Sequence, residues 1–184
     1  PQGRRVQAAW MRGSFFPGMP FNQQVSFPCD LTLHSSPKGP RLYRNPIPEI
    51  ASLHLSPTNW KDLRLSEGAA QTLAESGDLY HLKAEVEIPE GASLVISLRG
   101  ESVVLLPNRF VSGAATGHLT DRIQSVEILL DRGSIETFVN AGELSSTRYA
   151  LPSMEGLFLK ATGGPILIKS LTLWPLKSCL NHSQ

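Results

Sequence analysis

Hydrophobic and polar residues alternate along most of this chain in short runs, and turn-forming residues separate the runs. The stretch 78–88, DLYHLKAEVEI, shows the alternation most clearly. Side chains on a β-strand point alternately to its two faces, so residues of one parity share a face. One parity of this stretch is apolar throughout: Tyr80, Leu82, Ala84, Val86 and Ile88. We therefore predict a strand here, with these side chains facing the core.

Runs of the same kind predict most of the remaining strands. They lie at 4–10, 25–34 and 40–44 before this stretch, and at 93–98, 102–106, 125–130, 135–140, 157–161 and 166–173 after it. Residues 49–55 suit either a short helical turn or a strand, and 63–72 are ambiguous. Helical periodicity is nearly absent, and about eight or nine strands in roughly 130 residues are typical of two packed sheets. The predicted fold class is an all-β protein, an antiparallel two-sheet β-sandwich preceded by further strands.

Residues 45–48, Asn-Pro-Ile-Pro, interrupt this pattern. Proline has no backbone N–H, so two prolines this close cannot both take part in a central ladder. We place a domain boundary here. Residues 1–48 then form one unit, residues 49–178 form the sandwich, and residues 179–184 form a tail.

The composition argues against several classes of function. The chain has 184 residues and a net charge of +1, and its basic residues are scattered. Nucleic acids and anionic membranes are bound by clustered lysine and arginine, so neither is an expected partner. No run of about 18 apolar residues suggests a membrane span. Cys29 and Cys179 match no metal-binding spacing and the histidines occur singly, so we expect no metal and no other cofactor. Whether the two cysteines are reduced or paired stays open.

The stretch 130–143, LDRGSIETFVNAGE, places two carboxylates, Asp131 and Glu136, on either side of a Gly-Ser turn. Paired carboxylates about 5–9.5 Å apart are what a glycosidase requires. Asp131 is equally the residue type that begins a tight turn, since its side chain accepts hydrogen bonds from nearby backbone N–H groups. Arg132 is adjacent and is expected to pair with Glu136, and such a pair keeps a carboxylate ionised rather than ready to donate a proton. The residues favour a structural hairpin over a catalytic pair.

The stretch 15–24, FFPGMPFNQQ, combines three aromatic residues with three amides on one predicted loop. Sugar-binding pockets use aromatic faces and a few convergent polar groups. The alternative is a loop that covers a core with Phe15, Phe16 and Phe21. The residues alone do not distinguish a sugar-binding loop from a loop that covers a core.

The same residues carry a resemblance to a known family. The segment 3–50 has a G-R-R-x-x-x-x-W-M strand, an aromatic loop, a Phe-Pro-x-Asp-Leu-Thr-Leu strand and an arginine-containing strand ending in proline. It resembles the end of the catalytic domain of glycoside hydrolase family 32, the levanase, inulinase and invertase group. Residues from about 50 onward resemble that family's C-terminal β-sandwich. The stretch 131–143 is similar to its D-R-x-S-x-E-x-F-x-N-x-G signature through Asp131, Arg132, Ser134, Glu136, Phe138 and Asn140.

The resemblance implies a five-bladed propeller followed by a lectin-like sandwich of two sheets. The family's catalytic residues lie in the propeller, in the motifs W-x-N-D-P-N/D-G, R-D-P and E-C, and none of these motifs occurs in this sequence. Residues 1–48 are then the remnant of the last propeller blade, and the six signature residues have a structural role. In the family, the loop after W-M carries a tryptophan that lines the fructose pocket. This sequence has none, and the resemblance implies a pocket rim formed by Arg12, Phe15, Phe16, Phe21 and Gln23.

The resemblance therefore implies that the chain is the non-catalytic sandwich of a β-fructosidase. Its expected partners are the propeller and a fructan or sucrose-type sugar. The family's location implies an extracellular or periplasmic protein. Three alternatives remain: a lectin-like fructan-binding module, a self-sufficient hydrolase using Asp131 and Glu136, and an interaction protein that self-associates through unpaired strand edges. The sequence does not distinguish levan from inulin or sucrose.

Overall fold

The computed structural model describes residues 3–12, 17, 23–36 and 39–179. In this part of the chain, two six-stranded antiparallel sheets stack to form a β-sandwich, preceded by short strands and one 3-10 helix, Pro48–Leu53. The predicted fold class, an all-β antiparallel sandwich, is confirmed. No helix among the described residues is long and apolar enough to cross a membrane.

The described residues before the 3-10 helix form five strands: β1 (Val6–Gln7), β2 (Trp10–Met11), β3 (Gln24–Val25), β4 (Cys29–His34) and β5 (Arg41–Pro46). The strands β1, β4 and β5 form one sheet, and β2 pairs with β3. Each of the predicted strands 4–10 and 25–34 is interrupted near its middle, and the two interruptions lie opposite each other. The two backbones still meet there, because Ser26 N–H donates to the Ala9 carbonyl at 2.8 Å. Pro28, which has no N–H, lies in the interruption between β3 and β4.

The sandwich contains the strands β6 (Thr58–Leu65), β7 (Ala70–Ala74), β8 (Tyr80–Glu87), β9 (Ser93–Leu98), β10 (Glu101–Leu105), β11 (Arg109–Ser112), β12 (Ala115–His118), β13 (Ser125–Asp131), β14 (Ser134–Val139), β15 (Leu144–Tyr149), β16 (Leu157–Thr162) and β17 (Ile166–Pro175). We call the sheet of order β15-β14-β13-β8-β17-β6 the front sheet and the sheet of order β12-β11-β10-β9-β16-β7 the back sheet. The strands β6, β7, β11, β12 and β15 were not predicted as such.

The main core lies between the two sheets. The five apolar residues of β8 and the turn after it are buried as predicted, for example Leu82 with 1% of its surface exposed. The back sheet contributes Ile96, Leu105 and Leu159, each fully buried. Burying one such side chain stabilises the fold by about 1.5–3 kcal/mol, so this core is the main source of the sandwich's stability.

The outer face of the front sheet is covered as well, by the described residues 27–36 and 39–53, which we call the segment 27–53. A second apolar cluster there joins Cys29 and Ile50 of the segment to Leu129 and Phe138 of the sheet. As a result, β14 is buried on both faces, because the core lies on one side and this segment on the other. The segment 27–53 therefore adds a third layer over part of the sandwich.

Candidate functional site

Glu136, on the outer face of β14, lies at the centre of the contact between the segment 27–53 and the sandwich. Its side chain is 3% exposed. One carboxylate oxygen accepts a hydrogen bond from the backbone N–H of Phe27. The other accepts from Thr147 Oγ1 at 2.8 Å and from Arg44 Nη2 at 3.1 Å. Both oxygens of this buried carboxylate are thus occupied by donors, two of which belong to the covering segment.

Arg44, on β5, carries the positive charge opposite Glu136. Its guanidinium also donates to Thr147 Oγ1 at 3.0 Å and lies over the Phe138 ring, 5.6 Å from the centroid. Its backbone N–H donates to the Gly142 carbonyl at 3.0 Å. A guanidinium that pairs with a carboxylate and stacks on an aromatic ring is held in one orientation. Together these contacts fix β5 against β14 and β15.

The expected pairing of Arg132 with Glu136 is wrong. Arg132 Nε donates instead to Asp78 Oδ2 at 2.6 Å. Asp131 is exposed at the turn, and its Oδ1 accepts from the Arg132 backbone N–H at 2.7 Å. The covering segment supplies Arg44 to Glu136, which leaves the turn arginine to pair at the surface. Asp131 thus serves the turn while Glu136 holds the segment, an arrangement suited to anchoring and not to acid–base chemistry.

The other signature residues also lie in this hairpin. Ser134 is paired with Asp131 at its end, and Phe138 belongs to the second apolar cluster. Asn140 begins the following turn with a positive φ of 48°. Its Oδ1 accepts from the backbone N–H of Gln124 at 2.8 Å, and its Nδ2 donates to the Arg122 carbonyl at 2.9 Å. Asparagine suits this place because it tolerates a left-handed backbone and can bridge two neighbouring strands.

Ion pairs at the surface also contact the segment at several points along its length. Arg4 contacts both Asp30 and Glu49, with nitrogen–oxygen distances of 2.7 Å to each. The hydrogen bond from Arg4 lowers the pKa of Glu49 to about 2. Arg41 pairs with Glu143 at 2.8 Å, beside the turn that follows β14. Exposed pairs of this kind contribute little energy, so they orient the segment more than they stabilise it.

The predicted pocket rim is only partly within the described residues. Arg12 and Gln23 are exposed beside β2 and β3. Phe15, Phe16 and Phe21 lie outside the described residues. The rim therefore stays a prediction.

An open groove of about 300 Å³ lies on the part of the front sheet that the segment leaves uncovered. Charged and hydroxyl side chains line it, together with two aromatic rings: Lys83, Glu85, Ser125, Glu127, Ser170, Thr172, Phe138 and Trp174. Sequence reasoning missed this groove. The available signal was the other parity of 78–88, which carries Lys83 and Glu85.

Among the described residues, no group of three or more histidine, cysteine, aspartate or glutamate side chains is placed to hold a metal ion. Cys29 and Cys179 are both free thiols, one buried and one exposed. Burial raises the pKa of the Cys29 thiol to about 11. Cys29 therefore behaves as a small apolar residue on the buried side of the segment, and not as a nucleophile.

Comparisons with known proteins agree with this architecture. Residues 97–175 match the family model described as glycosyl hydrolases family 32 C terminal. A levanase of Bacillus subtilis (strain 168) is 29% identical over 95% of this chain, which corresponds to 31% of the levanase. A raffinose invertase of Escherichia coli is 29% identical over 95% of this chain and 40% of its own length. The chain thus spans well under half the length of these relatives.

Two solved structures show the same fold at low sequence identity. Fructan 1-exohydrolase IIa from Cichorium intybus superposes with a TM-score of 0.71 at 16% identity, over 95% of this chain and 46% of that one. Sucrose-6-phosphate hydrolase from Lactobacillus gasseri gives a TM-score of 0.71 at 16% identity, over 98% of this chain and 40% of that one. By the family match and the levanase and invertase relatives, the chain is similar to the C-terminal part of glycosyl hydrolase family 32 proteins, and its residues 97–175 are similar to that family's C-terminal domain.

Proposed function

We propose that this chain is the non-catalytic sandwich of a secreted fructan β-fructosidase, together with the end of the propeller's last blade. Its role is to pack against the propeller and stabilise it. The parent enzyme would hydrolyse β-fructosidic bonds with retention of configuration. The observation that carries the proposal is the buried contact of Glu136 with Arg44 and Phe27, which attaches strands of the N-terminal unit to the sandwich.

The exposed apolar residues support the same proposal. Large exposed hydrophobic side chains are concentrated on the strands before residue 48: Val6, Trp10, Val25, Leu33 and Leu42. Two pairs of them lie directly opposite each other on neighbouring strands, Trp10 with Val25 and Leu33 with Leu42. Adjacent exposed apolar residues mark surfaces that another part of a protein covers. The remainder of a propeller is the occupant that fits strands of this kind.

We expect the isolated chain to release no fructose from levan, inulin, sucrose or raffinose, because the carboxylate in its signature hairpin is fully occupied by donors. A reducing-sugar assay on the purified chain measures this, with Glu136→Gln as the matched variant. Turnover that is present in the wild type and lost in the variant would overturn the proposal. An upstream reading frame encoding the W-x-N-D-P-N/D-G motif would support it independently.

The groove on the front sheet favours a second candidate, binding of fructan without hydrolysis. Its hydroxyl, carboxylate and ammonium groups match sugar hydroxyls, and the Trp174 ring offers an apolar face. Lys83, with a half-exposed side chain, is the groove's cation.

Isothermal titration with levan and inulin oligomers tests this candidate. If the groove binds sugar, Lys83→Met should weaken binding by about tenfold, the effect of losing one charged hydrogen bond. The matched control is Lys160→Met on β16 of the back sheet, which should bind like the wild type. If the wild type shows no saturable binding, or if both variants lose affinity equally, fructan binding in the groove is ruled out.

A further inference from the structure

Two histidines and a glutamate form a hydrogen-bonded chain where the segment meets the end of β17. His81, on β8, is completely buried. Its Nε2 lies 2.7 Å from Glu127 Oε1, and its Nδ1 lies 2.9 Å from Nε2 of His54. The His54 ring stacks on Trp174, with centroids 4.5 Å apart and an angle of 15° between the planes. Glu127 and Trp174 also line the groove on the front sheet, whereas neither histidine does.

The backbone around His54 is attached to the same place. The Leu55 N–H donates to the Pro175 carbonyl at 2.9 Å, and the Lys177 N–H donates to the Leu53 carbonyl at 2.8 Å. His54 itself forms a β-bridge with Leu176. The histidine pair therefore sits under the residues that lead from the 3-10 helix into the sandwich.

A hydrogen bond between two imidazoles needs one nitrogen with a hydrogen and one without. The Glu127 carboxylate accepts a hydrogen bond from Nε2 of His81, so this nitrogen carries a hydrogen. The opposite nitrogen of His81 is then the acceptor, and His54 donates to it. This bond holds the His54 ring against the buried ring of His81.

The surrounding charges also resist protonation of His54. Burial lowers the pKa of His54 below its usual value of 6.5, and the nearby His81 and Lys83 lower it further. Glu127 acts in the opposite direction, but it is shared with Lys83, whose Nζ lies 3.2 Å from Oε1. The strand β17 contributes the Trp174 ring, which does not titrate.

We propose that the contact of His54 with His81 and Trp174 is proton-sensitive: it holds residues 53–55 against the sandwich at neutral pH and releases them as His54 takes up a proton. The unfolded chain binds a proton at His54 near pH 6.5, whereas the folded chain binds it only at lower pH. The stabilising contribution is therefore complete above pH 6.5 and is lost as the pH falls through the folded value.

Amide hydrogen exchange of Leu55 and Lys177, followed by NMR on the whole chain, tests this proposal. Between about pH 7.5 and 5, protection corrected for intrinsic exchange should fall at least about tenfold in the wild type. His54→Phe keeps an aromatic ring over Trp174 but cannot titrate, and its protection should not change with pH. His118→Gln, an exposed histidine on β12, is the matched control and should behave like the wild type. Equal pH dependence in wild type and His54→Phe overturns the proposal.

A second measurement needs no variant. The imidazole ¹⁵N shifts of His54 in the wild type should show that it takes up a proton only below pH 6.5. Protonation of His54 at or above pH 6.5 would overturn the proposal even if His54→Phe does not fold.

Discussion

Glu136→Gln is expected to lower the free energy of unfolding by about 3–5 kcal/mol, the usual cost of removing one partner from a buried ion pair. The carboxylate is buried and accepts from Arg44, Thr147 and the Phe27 backbone. An amide leaves the Arg44 charge uncompensated and turns an N–H₂ group toward one of these donors. Urea denaturation followed by far-UV circular dichroism measures the change.

The matched control is Glu90→Gln. Glu90 pairs with Arg122 at 2.6 Å, but its side chain is 78% exposed. Loss of such a surface pair should cost about 0–1 kcal/mol. Arg44→Met tests the other partner, and the double variant should cost clearly less than the sum of the single variants because the two groups interact. If Glu136→Gln is no more destabilising than Glu90→Gln, Glu136 does not anchor the segment.

Gly142→Ala should have the second largest effect, a loss of about 3 kcal/mol or more. Gly142 has φ +84°, and a Cβ built there overlaps the carbonyl oxygen of Arg44. Backbone atoms cannot turn aside as a flexible side chain can, so either the turn or β5 must move. That movement would break the bond from the Arg44 N–H to the Gly142 carbonyl. Thermal unfolding measures the loss.

Gly68→Ala separates backbone strain from collision. Gly68 has a similar φ of +76°, but nothing lies within 4 Å of the Cβ position. Only the left-handed conformation is penalised there, at about 1–2 kcal/mol. A Gly142→Ala variant as stable as Gly68→Ala would mean that β5 does not lie against the turn as described.

The strands that sequence reasoning identified and those it missed differ in position. The centre of each sheet was identified, as with β8, β9 and β13, because these strands contribute apolar side chains to the core. The edge strands of both sheets were missed, namely β6, β7, β12 and β15, together with the four-residue strand β11 beside β12. Edge strands are commonly polar and short, and pairing with a neighbour holds them in place. Their own sequences, such as ATGH in β12, therefore carry little alternation.

The candidate site shows even more clearly the difference between what local sequence predicts and what only the fold determines. Turn chemistry and the signature motif indicated that the Asp131–Glu136 hairpin is structural, but the partner expected for Glu136 was its neighbour Arg132. The actual partner, Arg44, lies 92 positions away in the sequence. Only the fold brings these two strands together, so local spacing could not reveal the pair. The chain from His54 through His81 to Glu127 was hidden for the same reason.

The sequence by itself determined the fold class, the core face of the central strands, the turns and the family resemblance, since each depends on local periodicity, backbone preference or a short motif. The tertiary structure decided which face of β14 would be covered, which arginine Glu136 would bind and where the histidines would meet. These outcomes depend on the segment 27–53 folding back over the front sheet. That placement gains its free energy from apolar burial of Phe138 and Leu129 against Cys29 and Ile50. Such burial depends on contacts between distant parts of the chain, which no stretch of residues encodes alone.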